Sequence, residues 1–197
     1  VSLQEGRATR RRGAELEEAI LDAAWEQLCE GGYPRFTVEA VAERAGTSRP
    51  VLYRRWPGRG ELLMAAIQHV GERNTPAVPD TGSLRGDMYA LLTAVNEARA
   101  GLIALVSAHL GAYFEETGTS LADVRERYLE GRPTATDRIL QRAAERGEAP
   151  ADLPKRVRDT AFDLFRGEAL LTLRPLSEES IRQIVDEVFL PLVRAYR

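Results

Sequence analysis

The chain is poor in the residues from which reactive centres are built. A single cysteine, Cys29, excludes an intrachain disulfide and a thiolate metal cluster, and beside Leu28 it suits a small core residue. The two histidines, His69 and His109, have no partner at metal-ligand spacing, and there is no nucleophile elbow, His-Glu-x-x-His pair or glycine-rich phosphate loop. The sequence therefore predicts neither an enzyme nor a metal or cofactor site. No apolar run approaches the roughly 20 residues of a membrane span, and no signal-peptide pattern opens the stretch. A cytoplasmic protein without membrane contact is expected. Lysine is almost missing: Lys155 stands alone among 27 basic residues. Positive charge must accordingly be read from where the arginines fall, not from how many there are.

What the chain does have is an uneven distribution of charge. Its net charge of −3 and isoelectric point near 5.6 exclude a molecule whose whole surface attracts polyanions, so any such contact must be local. Residues 13–31 carry Glu15, Glu17, Glu18, Asp22, Glu26 and Glu30 without one base, whereas residues 32–60 carry six arginines against Glu39 and Glu43. Residues 1–12 add Arg7, Arg10, Arg11 and Arg12 in a polar stretch without periodicity, which reads as a flexible basic arm. A chain of this length buries roughly 70% of its unfolded surface, enough for one or two compact units.

The most informative stretch is residues 36–63. Thr37 can cap a helix by accepting a hydrogen bond from an otherwise unpartnered amide, and Val38, Val41, Ala42 and Ala45 recur at the spacing of one buried face. Gly46 stops this helix, because only glycine enters the left-handed conformation there without steric cost. Thr47 or Ser48 then caps a second helix over residues 49–56, with Pro50 in the first turn, where a missing amide costs nothing. Leu52 and Trp56, four apart, anchor its inner side and leave Arg49, Pro50, Tyr53, Arg54 and Arg55 to the outer side and flanks. Two helices about a tight turn, the second bearing arginines and a phenol, suit the major groove of duplex DNA.

At these positions the chain resembles the tetracycline-repressor (TetR) family. That family's pattern is a capping Thr, an Ala-x-x-Ala-Gly-x-Ser turn, Leu-Tyr-x-x-Phe or Trp, and a basic residue three further on. Here the pattern is met by Thr37, by Ala42 to Ser48, by Leu52-Tyr53-Arg54-Arg55-Trp56 and by Arg59. Arg59 stands where the family commonly has lysine, and Val51 where it has a small or polar residue. The resemblance covers roughly residues 15–70. It implies an all-α fold with an N-terminal three-helix DNA-binding head and a C-terminal ligand-binding and dimerising body. The implied function is that of a repressor released from a pseudo-palindromic operator by a small-molecule effector; the alternative is a body that serves as a protein-interaction module. Thr37, Ser48, Tyr53, Arg55 and Arg59 match the family's phosphate-contacting positions, with Thr47 adjoining them. Arg49 and Arg54 are placed to pair with guanine edges, Pro50 and Val51 to meet thymine methyls, and the arm arginines to enter the minor groove.

Periodicity fills in the remainder. A helix over residues 14–30 puts Leu16, Ile20, Leu21, Ala24, Trp25 and Leu28 on one face and ends at Gly31-Gly32; another over residues 60–73 carries Leu62, Leu63, Ala66, Ile67 and Val70. The expected division is a DNA-binding domain at 13–73, a Pro- and Gly-bearing linker at 74–82 and a regulatory body at 83–197. In the body, Ser83, Ser120 with Asp123, and Ser177 open helices, while Gly131-Arg132-Pro133 interrupts and Pro175 stops. The last two helices are apolar on two sides, through Phe162, Phe165 and Ala169 and through Ile184, Val188, Phe189 and Leu192. Such helices need two partners, and a second copy fits the dimerisation that the resemblance implies. Polar groups on otherwise apolar helices, Tyr89, Asn96, His109, Tyr113 and Glu168, are the candidates for lining a ligand pocket.

Overall fold

The computed structural model describes residues 13–129 and 133–197, so the arm arginines Arg7, Arg10, Arg11 and Arg12 and the Gly131-Arg132 interruption lie outside the described residues. All regular structure among these residues is helical. The order is α1 (Ala14–Arg35), α2 (Val38–Arg44), α3 (Arg49–Tyr53), α4 (Arg59–Arg73), α5 (Leu84–His109), α6 (Gly111–Thr117), α7 (Leu121–Leu129), α8 (Ala135–Glu145), α9 (Lys155–Thr172), α10 (Glu178–Gln183), a π-helical segment (Ile184–Phe189) and α11 (Leu190–Ala195). The chain divides into two compact units after Val70. No described helix is long and apolar enough to cross a membrane.

In the first unit, Ile20, Leu21, Ala24 and Leu28 of α1 are buried, as are Val38, Val41, Ala42, Leu52, Trp56, Leu62, Leu63 and Ala66. Each fully buried leucine-sized side chain contributes about 1.5–3 kcal/mol, which is how helices of seven and five residues, unstable alone, are held in place. Helix α1 runs five residues past the expected stop, but Gly32 breaks it with φ 63. The break turns Tyr33 and Phe36 into the core, both fully buried and neither anticipated. Phe36 precedes the Thr37 cap and Val41 lies four positions into the helix, the arrangement of a hydrophobic staple.

The second unit is built on a stripe of α5, in which Leu84, Met88, Leu91, Leu92 and Val95 share one core with Ile139, Leu140 and Ala143 of α8 and with Val157, Ala161, Phe165 and Ala169 of α9. Helix α8 begins earlier than its apolar residues suggest, because Thr134 and Asp137 form a reciprocal capping box. Residues 78–82 are anchored to this unit and are not a free linker. Val78 packs on the core, Arg142 donates to the Pro79 carbonyl, and Thr81 donates through its amide and, at 2.8 Å, its hydroxyl to Asp87, a fully buried carboxylate.

Four of the residues expected at a subunit interface belong to this protomer's own core. Phe165, Ala169, Ile184 and Phe189 are buried within the chain, because the side of α9 that carries Phe165 faces α5 and the last helix folds back onto both. Phe162 is half-buried with its ring edge-on to Phe165, while Val188 and Leu192 stay exposed. The last helix is not uniform. Pro191 brings no amide donor, and its ring would crowd the Glu187 carbonyl in α geometry. The six residues before α11 wind instead as a π-helix, closed by Leu190 donating to the Val185 carbonyl five positions back.

Candidate nucleic-acid interface

Three local devices build the turn between α2 and α3. The Thr37 hydroxyl accepts from the Ala40 amide at 3.1 Å and so fixes the start of α2. At the other end Gly46 has φ 65, and the Thr47 amide reaches the Ala42 carbonyl at 2.9 Å while the Gly46 amide reaches Glu43 at 3.1 Å. These two bonds complete a Schellman motif, which a side chain at position 46 would strain. Ser48 occupies the cap position of α3 without capping through its side chain, so its hydroxyl stays available. Helix α3 ends at Tyr53, three residues short of the expected end, and Trp56 reaches the core from the following turn.

The inner and outer sides of α3 separate cleanly. Leu52 is 0% exposed and Trp56 9%, whereas Tyr53 is 47% exposed. Ser48, Arg49, Pro50, Arg54 and Arg55 are also exposed, and Thr37, Thr47, Val51 and Arg59 are half-buried. The first unit therefore presents hydroxyls and guanidinium groups on one short helix and the turns flanking it. Arg59, at the start of α4, lies with its guanidinium 4.3 Å from the centre of the Tyr33 ring, a cation–π contact that steadies it.

Several of these cations are held by carboxylates of the same unit, through long-range pairings that no local spacing reveals. Arg49 donates to Glu39 at 3.0 Å, Arg55 pairs with Glu17, and Arg44 donates to Glu30 at 2.8 Å and to Glu26 at 3.4 Å. Arg44 keeps the Glu30 carboxyl below its ordinary value. Glu39 is lowered first by its own backbone amide and then by Arg49. Arg54, the residue after α3, is exposed.

The polar residues expected around a ligand pocket all lie on helices of the second unit. Asn96 donates to the Leu176 carbonyl at 3.0 Å and accepts from the Leu176 amide at 2.8 Å, fastening the α9–α10 turn to α5. Glu168 accepts from Ser180 at 2.8 Å. Tyr113 is buried edge-on against Phe114, Tyr89 packs half-buried on the core, and His109 is half-buried near the end of α5. None of the five lines the open cavity of about 670 Å³ between α8 and the start of α9, which is bounded by Leu140, Gln141, Ala144, Pro150, Leu153 and Arg158, among others. No group of three or more His, Cys, Asp or Glu among the described residues is placed to hold a metal ion.

Comparison with known proteins agrees with this layout. Residues 20–66 match the family described as bacterial regulatory proteins, tetR family, and residues 78–188 match the tetracyclin repressor-like C-terminal domain. The DNA-binding transcriptional repressor TetR of Mycobacteroides abscessus is 32% identical over 189 residues, covering 93% of this chain and 96% of the relative. Two solved structures share the fold. A transcriptional regulator of Pseudomonas aeruginosa has a TM-score of 0.71 at 20% identity, covering 99% of this chain and all of the other. The regulator FadR of Bacillus subtilis, solved in complex with stearoyl-CoA, has a TM-score of 0.67 at 20% identity, covering 87% and 99%. With both units matched in order, the chain belongs to the tetR family of DNA-binding transcriptional regulators.

Proposed function

We propose that the chain represses transcription as a homodimer, each first unit placing α3 in the major groove of one half of a pseudo-palindromic operator. The observation that carries this reading is the division of α3, with Leu52 and Trp56 inward and Arg49, Pro50, Tyr53 and Arg54 outward. Arg49 and Arg54 read guanine edges through bidentate bonds, and Pro50 and Val51 meet thymine methyls. Thr37, Thr47, Ser48, Tyr53, Arg55 and Arg59 hold phosphates and set the register. The arm residues Arg7, Arg10, Arg11 and Arg12 supply minor-groove contacts.

The test is to select bound fragments from random duplexes and to measure binding to the selected sequence by fluorescence anisotropy. Arg49→Ala is expected to cost roughly 1–3 kcal/mol and to relax the preference at one base pair per half-site, whereas Tyr53→Phe weakens binding to all sequences alike. Equal, sequence-independent losses from both substitutions would overturn the division of roles.

The second copy docks on the outer side of α9 and of the last helix. Leu164, Val188 and Leu192 are exposed apolar residues there, and Leu171 near the end of α9 is 88% exposed. Replacing both Val188 and Leu192 by arginine buries unpaired charge in that interface and is expected to weaken the dimer by about 100-fold or more. Sedimentation equilibrium reads the change, and an unaltered dimer would move the interface elsewhere. A small-molecule effector acts on the second unit. The support is the shared fold of a regulator solved with stearoyl-CoA and the cavity beside α8.

A further inference from the structure

Glu39 stands in the first turn of α2 and Arg49 at the first position of α3, ten residues apart and across the turn from one another. Arg49 donates one terminal nitrogen, Nη1, to the Glu39 Oε1 at 3.0 Å. Both side chains are well exposed, 61% and 54%, so this pair lies on the surface beside the outward side of α3 and contributes little to stability. A guanidinium has five donor hydrogens in a rigid fork. With Nη1 held by Glu39, Nε and Nη2 remain as the parallel pair that a guanine O6 and N7 accept.

We infer that Glu39 is a specificity-determining residue for DNA, which positions Arg49 for one base edge and cancels its pull on phosphates. The inference rests on the groove-reading role of Arg49 proposed above. Attraction to phosphate is what makes binding indifferent to sequence, and a cation paired with a carboxylate adds little to it. The same carboxylate repels any backbone that approaches Arg49 from the side. Away from the operator, Arg49 therefore stays on Glu39; at the operator its two free donors meet a guanine without giving up that bond. Specificity arises as much from the weakened wrong complex as from the right one.

Arg44 supplies an internal comparison. Glu30 holds it in the same unit through two guanidinium nitrogens, yet Arg44 closes α2 and is not on α3. Glu39→Gln and Glu30→Gln thus remove the same charge from the same unit, and only the first releases a residue of the reading helix.

The experiment measures wild type, Glu39→Gln and Glu30→Gln against the selected duplex and an unrelated duplex at several salt concentrations. Glu39→Gln is expected to tighten binding to the unrelated duplex by about three- to ten-fold, to leave the selected duplex within about two-fold, and to steepen the off-operator salt slope by about one per head. In an Arg49→Ala background the effect of Glu39→Gln on the ratio of the two affinities should vanish. An unchanged ratio and slope for Glu39→Gln, or an equal change from Glu30→Gln, overturns the inference. If wild type shows no preference for any selected duplex, the groove-reading function itself falls, and the inference with it.

Discussion

Raising the salt from 50 to 200 mM is expected to weaken binding to the selected duplex by about four orders of magnitude, along a log–log slope near −7. The arginines of each head and its arm suit about four phosphates, hence about eight for a dimer, and every neutralised phosphate releases part of its counterion cloud. The overall charge of −3 makes this a demanding test, because a mere bulk attraction between protein and DNA is ruled out. Steepness must come from the arginines of the head and of its arm. The measurement is a titration by fluorescence anisotropy at five or more salt concentrations. A slope near zero would remove the phosphate contacts from the account and leave the exposed side of α3 without a role.

The second large effect concerns the second unit. Asp87→Ala is expected to destabilise the protein by about 2–4 kcal/mol, lowering its melting temperature by roughly 5–15 °C. Asp87 is fully buried. Burial alone would raise its pKa, but the Thr81 amide, the Thr81 hydroxyl and the Arg146 guanidinium at 3.2 Å together hold it below the ordinary aspartate value. Alanine would leave those donors facing an apolar gap. Arg146 keeps Glu148, so the loss stays below that of a wholly orphaned buried cation. The sign of the pH dependence follows. A carboxyl depressed in the folded state contributes stability that is fully present above its unfolded value of about 3.9 and fades as the pH falls through the lower folded value. The difference between wild type and variant should therefore be constant from neutral pH down to about 5 and shrink in acid. Calorimetry across that range checks it. A melting temperature within about 2 °C of wild type would mean that the strap at residues 78–82 is held by Val78 and Arg142 alone.

Legibility in the sequence followed the range of the interactions. Cap and stop signals act within four or five residues, and the Thr37 cap, the Gly46 stop and the Ser120–Asp123 and Ser177 helix openings are present where the residues place them. The outward side of α3 was legible for the same reason, since Leu52 and Trp56 mark the inner side by a spacing of four. The Thr134–Asp137 box also lay within reach of that rule, masked by the glycine and proline just before it. What could not be read depends on pairing across the chain. The two hydrogen bonds between Asn96 and the backbone of Leu176, eighty residues on, leave no trace in local spacing. Phe165 and Phe189 look like a spare apolar face for want of knowing that α5 covers them. Glu39 was visible only as a charge subtracted from a basic stretch, because its partner is set by the angle between two helices and not by sequence spacing.

The widened winding of residues 184–189 acts as a phase adjuster for everything after it. An ordinary helix advances about 100° per residue, so six residues wound more slowly set Leu190 and Val193 inward while leaving Leu192 to the outside. Replacing Pro191 by alanine would let the same six residues wind at the regular pitch and turn the tail ahead by about one residue's advance, roughly 100°. Leu190 and Val193 would swing toward water, and the outward apolar strip would lose its alignment along the helix. Pro191→Ala is thus predicted to do more harm to assembly than a substitution at any one position of the strip.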